Sequence, residues 1–280
     1  CGITAAGQLE CWGRDDFGVV TDTPFATVTD LSCGNGFCCA LDSALAPTCW
    51  GEDIYGKASF PLLLEELSKL NIMWIRVMYV FPSRVDDAFI ASIKNNDKII
   101  NYIDMPIQHV NSTLLESMNR KHDKDFLEKI IRDMQQEIPD LALRTTFITG
   151  FPGETEAHVK EVCDFIEQYP FAQLGCFTYS KERETRSARF DNEIPLDIAK
   201  KRLDTIMTKQ YELTQHTLPS FKDKQFTVLY EGNKLCRSYR EAPEVDSLIV
   251  LDKDPGLEEG AVFDVKITGF STYDLLAQKI

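Results

Sequence analysis

The sequence predicts an α/β protein: a central parallel sheet with helices, preceded by a short β repeat and followed by a small β-barrel. Three observations carry this. Strand-like and helix-like stretches alternate between residues 60 and 218, the pattern of right-handed βαβ units around a parallel sheet. Short alternating stretches separated by turn residues fill 223–280, as in a small barrel. Residues 1–56 repeat on themselves at an offset of 38, which marks a repeat architecture. The expected domains are 1–56, 57–222 and 223–280.

The 280 residues are 44% apolar and carry a formal net charge of −14. That balance suits a soluble globular chain or one with a basic partner, and disfavours an extended nucleic-acid surface. No apolar run reaches the length of a membrane span, and Cys1-Gly-Ile lacks the basic and apolar regions of a signal peptide. A cytoplasmic chain, or one in an organelle stroma or matrix, is expected. It begins without Met, as a fragment would. Cys1, Cys11, Cys33, Cys38, Cys39 and Cys49 crowd the front, and Cys163, Cys176 and Cys236 are scattered behind. The front reads as disulfide-permissive and the rest as cytosolic, so the chain reads as a composite.

In the front segment, Cys1, Cys11, Trp12, Gly13, Asp15 and Gly18 recur as Cys39, Cys49, Trp50, Gly51, Asp53 and Gly56. This resembles the regulator-of-chromosome-condensation type of β-propeller repeat. Fewer than two repeats are present, and a propeller needs several blades to close. Cys33-x4-Cys38-Cys39 has no usual zinc spacing, so disulfides or free thiols are expected and no metal ligands are assigned.

Apolar periodicity places a helix over 60–70 and a buried strand over 73–80. A helix over 86–94 and a strand over 99–105 follow. Helices over 114–118 and 125–136 lead to a strand over 143–149, a helix over 155–168 and a strand over 171–179. A long amphipathic helix over 196–218 closes the middle segment. The centrepiece is Leu143-Arg-Thr-Thr-Phe-Ile-Thr-Gly-Phe-Pro-Gly-Glu-Thr155. It reads as a strand covered on both faces, then a tight loop in which Gly150, Pro152 and Gly153 bring bare backbone near a ligand. Thr155 suits the cap of the next helix. Polar residues gather at the strand ends: Gln108, His109, Glu154, Tyr179, Ser180 and Glu182. An arginine within a buried strand needs a partner; for Arg144 a ligand carboxylate and a structural ion pair are both open.

Asp104-Met-Pro-Ile-Gln-His109, Met118-Asn-Arg120, the centrepiece and Gly175-Cys-Phe-Thr-Tyr-Ser180 occur in that order. As a set they resemble the radical S-adenosylmethionine methylthiotransferases over roughly residues 52–280. They are closest to the RimO branch, which modifies an aspartate of small-subunit ribosomal protein twelve. The resemblance implies a partial (βα) barrel lacking its first strands. It places S-adenosylmethionine against Gln108, His109, Arg144, Gly150, Pro152, Gly153 and Glu154. It also implies 4Fe-4S clusters, held in the family by Cys-x3-Cys-x2-Cys, a pattern that occurs nowhere in this sequence. The chain by itself is therefore expected to be inactive. The segment Glu52-Asp-Ile-Tyr-Gly-Lys57 satisfies both the repeat and the enzyme-like half, so the two are spliced there. The apolar side of the first helix is expected to lie uncovered, its partner strands being absent.

Over 225–280, strands are expected at 225–230, 248–251, 261–268 and 273–277. Arg237-Ser-Tyr-Arg-Glu-Ala-Pro-Glu-Val-Asp246 and Tyr273-Asp-Leu275 look like the TRAM module that ends this family. By that resemblance Tyr179, Arg237, Glu244 and Asp246 are assigned to substrate docking. Six cations face ten acids over 225–280. RNA is thus a poor partner, and a basic ribosomal protein the better match. The other readings are a non-catalytic remnant that binds the ribosomal protein or S-adenosylmethionine, and a relative of the tRNA methylthiotransferases.

Overall fold

The structure is a computed structural model that describes residues 1–4, 7–11, 27–33, 37–41, 47–51 and 60–280. The repeat positions Trp12, Gly13, Asp15, Gly18, Asp53 and Gly56, and the shared segment 52–57, lie outside the described residues. The chain divides into two compact units, Cys1–Val77 with Asp86–Ile100, and Met78–Val85 with Asn101–Ile280.

In the first unit, β1 (Gly2–Ile3) pairs with β2 (Leu9–Glu10). β3 (Asp30–Cys33), β4 (Phe37–Leu41) and β5 (Pro47–Gly51) form an antiparallel sheet with β4 in the centre. These strands do not make a propeller among the described residues. Disulfides Cys1–Cys11 and Cys33–Cys38 tie the strands together. Helix α1 (Phe60–Lys69) corrects one expectation. Its Leu63 and Leu67, with Leu70 and Ile72 beyond its end, pack on the fully buried Cys39 and Leu41 of β4. Its apolar side is thus covered in part by these strands, with Leu63 and Leu67 half-buried and Leu62 still exposed. Glu66, buried on the same side, accepts hydrogen bonds from Ser32 Oγ of β3 and Lys69 Nζ, each at 2.6 Å. β6 (Ile75–Val77) and α2 (Asp87–Lys94) complete this unit. Asp86 caps α2 by accepting from Phe89 N at 2.8 Å. The strand expected to reach Val80 ends at Val77, and Tyr79 turns into the left-handed region at φ 58°.

β7 (Ile99–Asp104) begins among the residues of the first unit and ends among those of the second. There follow α3 (Ser112–Ser117), α4 (Lys124–Glu137), β8 (Ala142–Thr149), α5 (Glu156–Gln168), β9 (Gln173–Thr178) and α6 (Leu196–Thr217). β7, β8 and β9 are parallel neighbours, with Asp104 opposite Arg144, and Thr146 opposite Gly175. Leu127, Ile130, Ile131 and Met134 bury one face of α4, and Val159, Val162, Phe165 and Ile166 one face of α5, the spacing that an amphipathic helix requires. Thr155 caps α5 in a reciprocal box with His158. β8 is buried on one face only: Thr145, Phe147 and Thr149 are covered, while Arg144, Thr146 and Ile148 are half-open. The expectation of a strand covered on both faces therefore holds for one face only.

The C-terminal strands β10 (Gln225–Tyr230), β11 (Leu235–Arg237), β12 (Ile249–Leu251), β13 (Val262–Ser271) and β14 (Asp274–Lys279) close a barrel in the order β10-β11-β12-β14-β13. Val228, Tyr230, Cys236, Ile249, Leu251, Val265, Ile267, Leu275 and Ala277 fill it. The three-residue β11 is the strand that the sequence pattern did not show.

Candidate functional site

At the C-terminal end of β7 the chain runs through Pro106 and stays beside β8. Gln108 N donates to Thr146 O at 2.9 Å, and Ile148 N donates to Gln108 O at 2.8 Å. These bonds hold Gln108 at φ 71°, a left-handed conformation that a non-glycine residue adopts at a cost. The Gln108 side chain is half-buried and its amide has no hydrogen bond among the described residues. His109 turns the other way, into the protein. Its Nδ1 accepts from Val110 N and Asn111 N, both at 2.9 Å. That leaves Nε2 carrying the proton in the neutral ring, 3.6 Å from Glu154 Oε1. Neither atom has another partner, and the two side chains are 1% and 0% exposed.

The loop after β8 is fixed from behind by α6. Glu154 Oε2 accepts from Gly150 N at 2.8 Å and from Arg202 Nη1 at 2.9 Å. Arg202 also donates to Glu154 O and, through Nε, to Glu156 Oε1 at 2.8 Å. Gly150 lies at φ +74°, and a Cβ there would sit 2.4 Å from the Cβ of Ala199 on α6. Its bareness thus serves helix packing. Gly153, at φ +86°, has open space where a Cβ would be. Pro152 is buried in the turn. Gly150→Ala is expected to destabilise the protein by about 1–3 kcal/mol through overlap and left-handed strain. Adding Ala199→Gly should recover part of that loss in thermal denaturation. No recovery would show that the overlap is not the cause.

Arg144 is resolved as an ion pair. Nη1 donates to Asp104 Oδ1 at 2.8 Å, and Nε to Asp246 Oδ1 at 3.0 Å. Asp246 Oδ2 further accepts from Tyr102 Oη at 2.7 Å and Ala242 N at 2.8 Å. Burial, followed by the Asp246 charge, pushes the Tyr102 phenol well above its ordinary range, so it stays a donor. The ligand-carboxylate alternative for Arg144 gives way to these two partners. Asp246, expected to dock substrate, ties β8 to the segment leading into the C-terminal barrel. Arg237 pairs with Glu231 at 2.7 Å, Glu244 is an exposed turn residue at φ 67°, and Tyr179 Oη bonds Ser187 Oγ at 2.9 Å. The structure therefore gathers Gln108, His109 and Gly150–Glu154 at the ends of β7 and β8. Arg202 was missed: it is one of several cations on an amphipathic helix, and no spacing in the sequence distinguishes it.

Residues 50–166 match the radical SAM superfamily, and residues 224–280 match the TRAM domain. The chain is 40% identical over 232 residues to the ribosomal protein uS12 methylthiotransferase RimO of Clostridium novyi, covering 81% of this chain and 52% of that protein. The chain is a relative of the RimO-type methylthiotransferases. The namesake from Dictyoglomus thermophilum is 38% identical over 240 residues, covering 83% of this chain and 54% of that protein. The chain thus spans about half the length of these RimO relatives. Among solved structures, the radical SAM enzyme coproporphyrinogen III oxidase (HemN) from Escherichia coli aligns with a TM-score of 0.46 at 13% identity, over 76% of this chain and 51% of that chain. None of these matches supports the propeller-like reading of residues 1–56.

The strand-end residues fit S-adenosylmethionine: the unspent Gln108 amide and the open space at Gly153 border the half-open face of β8. Cys1, Cys33 and Cys38 bring three sulfurs within 4.8 Å of one another, a convergence the spacing did not reveal. As bonded, however, the Cys1–Cys11 and Cys33–Cys38 disulfides leave no thiolate there, and thiolates are the ligands required. Among the free cysteines, burial, then the Glu154 charge, pushes the Cys176 thiol up to about 12. Burial, then Glu231, raises that of Cys236 to about 11. Burial raises Cys163 as well.

Proposed function

We propose that this chain carries the S-adenosylmethionine site of a RimO-type methylthiotransferase, at the ends of β7 and β8. The family reaction places a methylthio group on the β-carbon of an aspartate in ribosomal protein uS12. Gln108 and the backbone at Gly153 face the ligand. His109, Glu154 and Arg202 hold the loop from behind, and Arg144 ties the sheet to the barrel. Bound there, S-adenosylmethionine would supply the activated sulfonium. The observation that carries this reading is Gln108: strained, half-buried, and with an amide that no neighbour uses. Backbone strain of this kind concentrates at ligand sites. The uS12 assignment comes from the relatives, and the acidic balance of the C-terminal barrel supports a basic protein over RNA.

The chain by itself does not catalyse transfer in this reading, because it has no Cys-x3-Cys-x2-Cys. Titration of the full chain with S-adenosylmethionine tests the binding half: Gln108→Ala should weaken it about tenfold, and no binding by the wild type would sink it. Anaerobic iron–sulfide reconstitution tests the other half. No stoichiometric 4Fe-4S signal is expected; a cluster that cleaves S-adenosylmethionine would overturn inactivity.

A further inference from the structure

Arg120 follows α3 at a turn that fixes where its side chain starts. Asn119 stands at φ 57°, and Arg120 N donates to Leu115 O at 2.8 Å, a helix end closed through a left-handed residue. The guanidinium is half-buried and lies over the ring of Phe81, its carbon 5.2 Å from the ring centroid. Its N–H donors meet no acceptor among the described residues. The nearest acid in sequence, Asp123, caps α4 instead, accepting from Phe126 N at 2.9 Å. Burial alone pulls the Arg120 guanidinium below its ordinary value. Burial acts the same way on Arg144 and Arg202, where the carboxylates of Asp104 and Asp246, and of Glu156 and Glu154, reverse it. Arg120 is thus a partly desolvated cation like those two, without the carboxylate that each of them has.

The surface beside it supplies a second, independent observation. Phe81 is 57% exposed, and Tyr79, two residues before it, is 73% exposed at φ 58°. Val80, between them, donates its N–H to Asp104 O at 2.8 Å, on the last residue of β7, and β7 leads on to Gln108. The aromatic pair therefore stands at the strand end that carries the site. Exposed aromatic rings beside an arginine are the composition of a protein-binding hot spot, and backbone strain such as that at Tyr79 gathers at ligand clamps. The planar guanidinium takes a carboxylate through two parallel bonds. Lys121, next in the chain, is exposed, so this patch is locally cationic on a chain whose net charge is −14.

We propose that Arg120, held against Phe81, receives the carboxylate of an aspartate on an extended, otherwise basic segment of a protein partner. This deepens the reading above, on which the identity of that partner rests. The methionine carboxylate of S-adenosylmethionine is the competing source; the open aromatic surface beside Arg120 favours a chain segment. Calorimetric titration of the full chain tests it, with a basic dodecapeptide holding one aspartate and the same peptide with asparagine in its place. The aspartate peptide should bind, and the asparagine peptide should bind about tenfold more weakly. Arg120→Gln should abolish that preference, so that the two peptides bind the variant alike, and Arg120→Lys, a point charge without the fork, should restore part of it. Phe81→Ala should weaken the aspartate peptide about threefold to tenfold. Equal binding of the two peptides by the wild type, no binding of either, or a preference that survives Arg120→Gln would overturn the proposal. Titration with S-adenosylmethionine runs in parallel. Its affinity should be unchanged in Arg120→Gln; a loss there, with the peptide preference intact, would assign the guanidinium to that ligand and overturn the proposal. No binding of S-adenosylmethionine by the wild type, with the peptide preference present, removes the strand-end reading alone.

Discussion

Arg144→Met is expected to destabilise the second unit by about 3–5 kcal/mol, the usual result of stranding buried charge. The side chains of Asp104 and Asp246 are 0% and 1% exposed, and both lean on this one guanidinium. Once Arg144 is gone, Asp246 keeps Tyr102 and Ala242, while Asp104 keeps, among the described residues, a long contact with Tyr79 N at 3.4 Å. Asp246→Asn should cost less, about 1–2 kcal/mol, because an amide oxygen can still accept those two bonds. Urea unfolding of the two variants, with hydrogen exchange read on β7 and β8, makes the comparison. A loss below about 1 kcal/mol for Arg144→Met would mean that the pair adds little beyond what its burial costs.

Arg202→Leu is expected to cost a similar amount, about 3–5 kcal/mol, for the same physical reason at a different place. It leaves the fully buried Glu154 carboxylate with Gly150 N as its remaining donor. The loop Gly150–Glu154 should then open, and the Gly150 amide should exchange faster with solvent. Combining Arg202→Leu with Glu154→Gln should cost less than the two single changes together, because removing both partners of a buried pair is cheaper than removing one. Strict additivity in that double-mutant cycle would show that the two residues act separately.

Most of the second unit was legible in the sequence because its elements announce themselves locally. Thr155 at the start of α5 and the apolar spacing within α4 and α5 are short-range signals. What stayed hidden depends on distant residues. Arg144 reads as either a ligand anchor or an ion pair until Asp104 and Asp246 arrive, 40 and 102 positions away. Tyr79 ends its strand early although its neighbours Met78 and Val80 are good strand formers. β11 is too short for any periodicity. Of the proposed site, Gln108, His109 and the Gly150–Gly153 loop stood out by composition, while the packing reason for Gly150, the close approach of Ala199 on α6, was not legible.

The packing of α1 on β4 bears on how such a chain survives in a cell. A version of this protein beginning at Phe60 would carry Leu63, Leu67 and Leu70 uncovered into water, the kind of surface that feeds aggregation and draws chaperones and proteases. Packed on β4, Leu70 is fully buried and Leu63 and Leu67 are half-buried. A segment that covers one face of a helix in this way contributes to the stability of the unit it belongs to, apart from any activity.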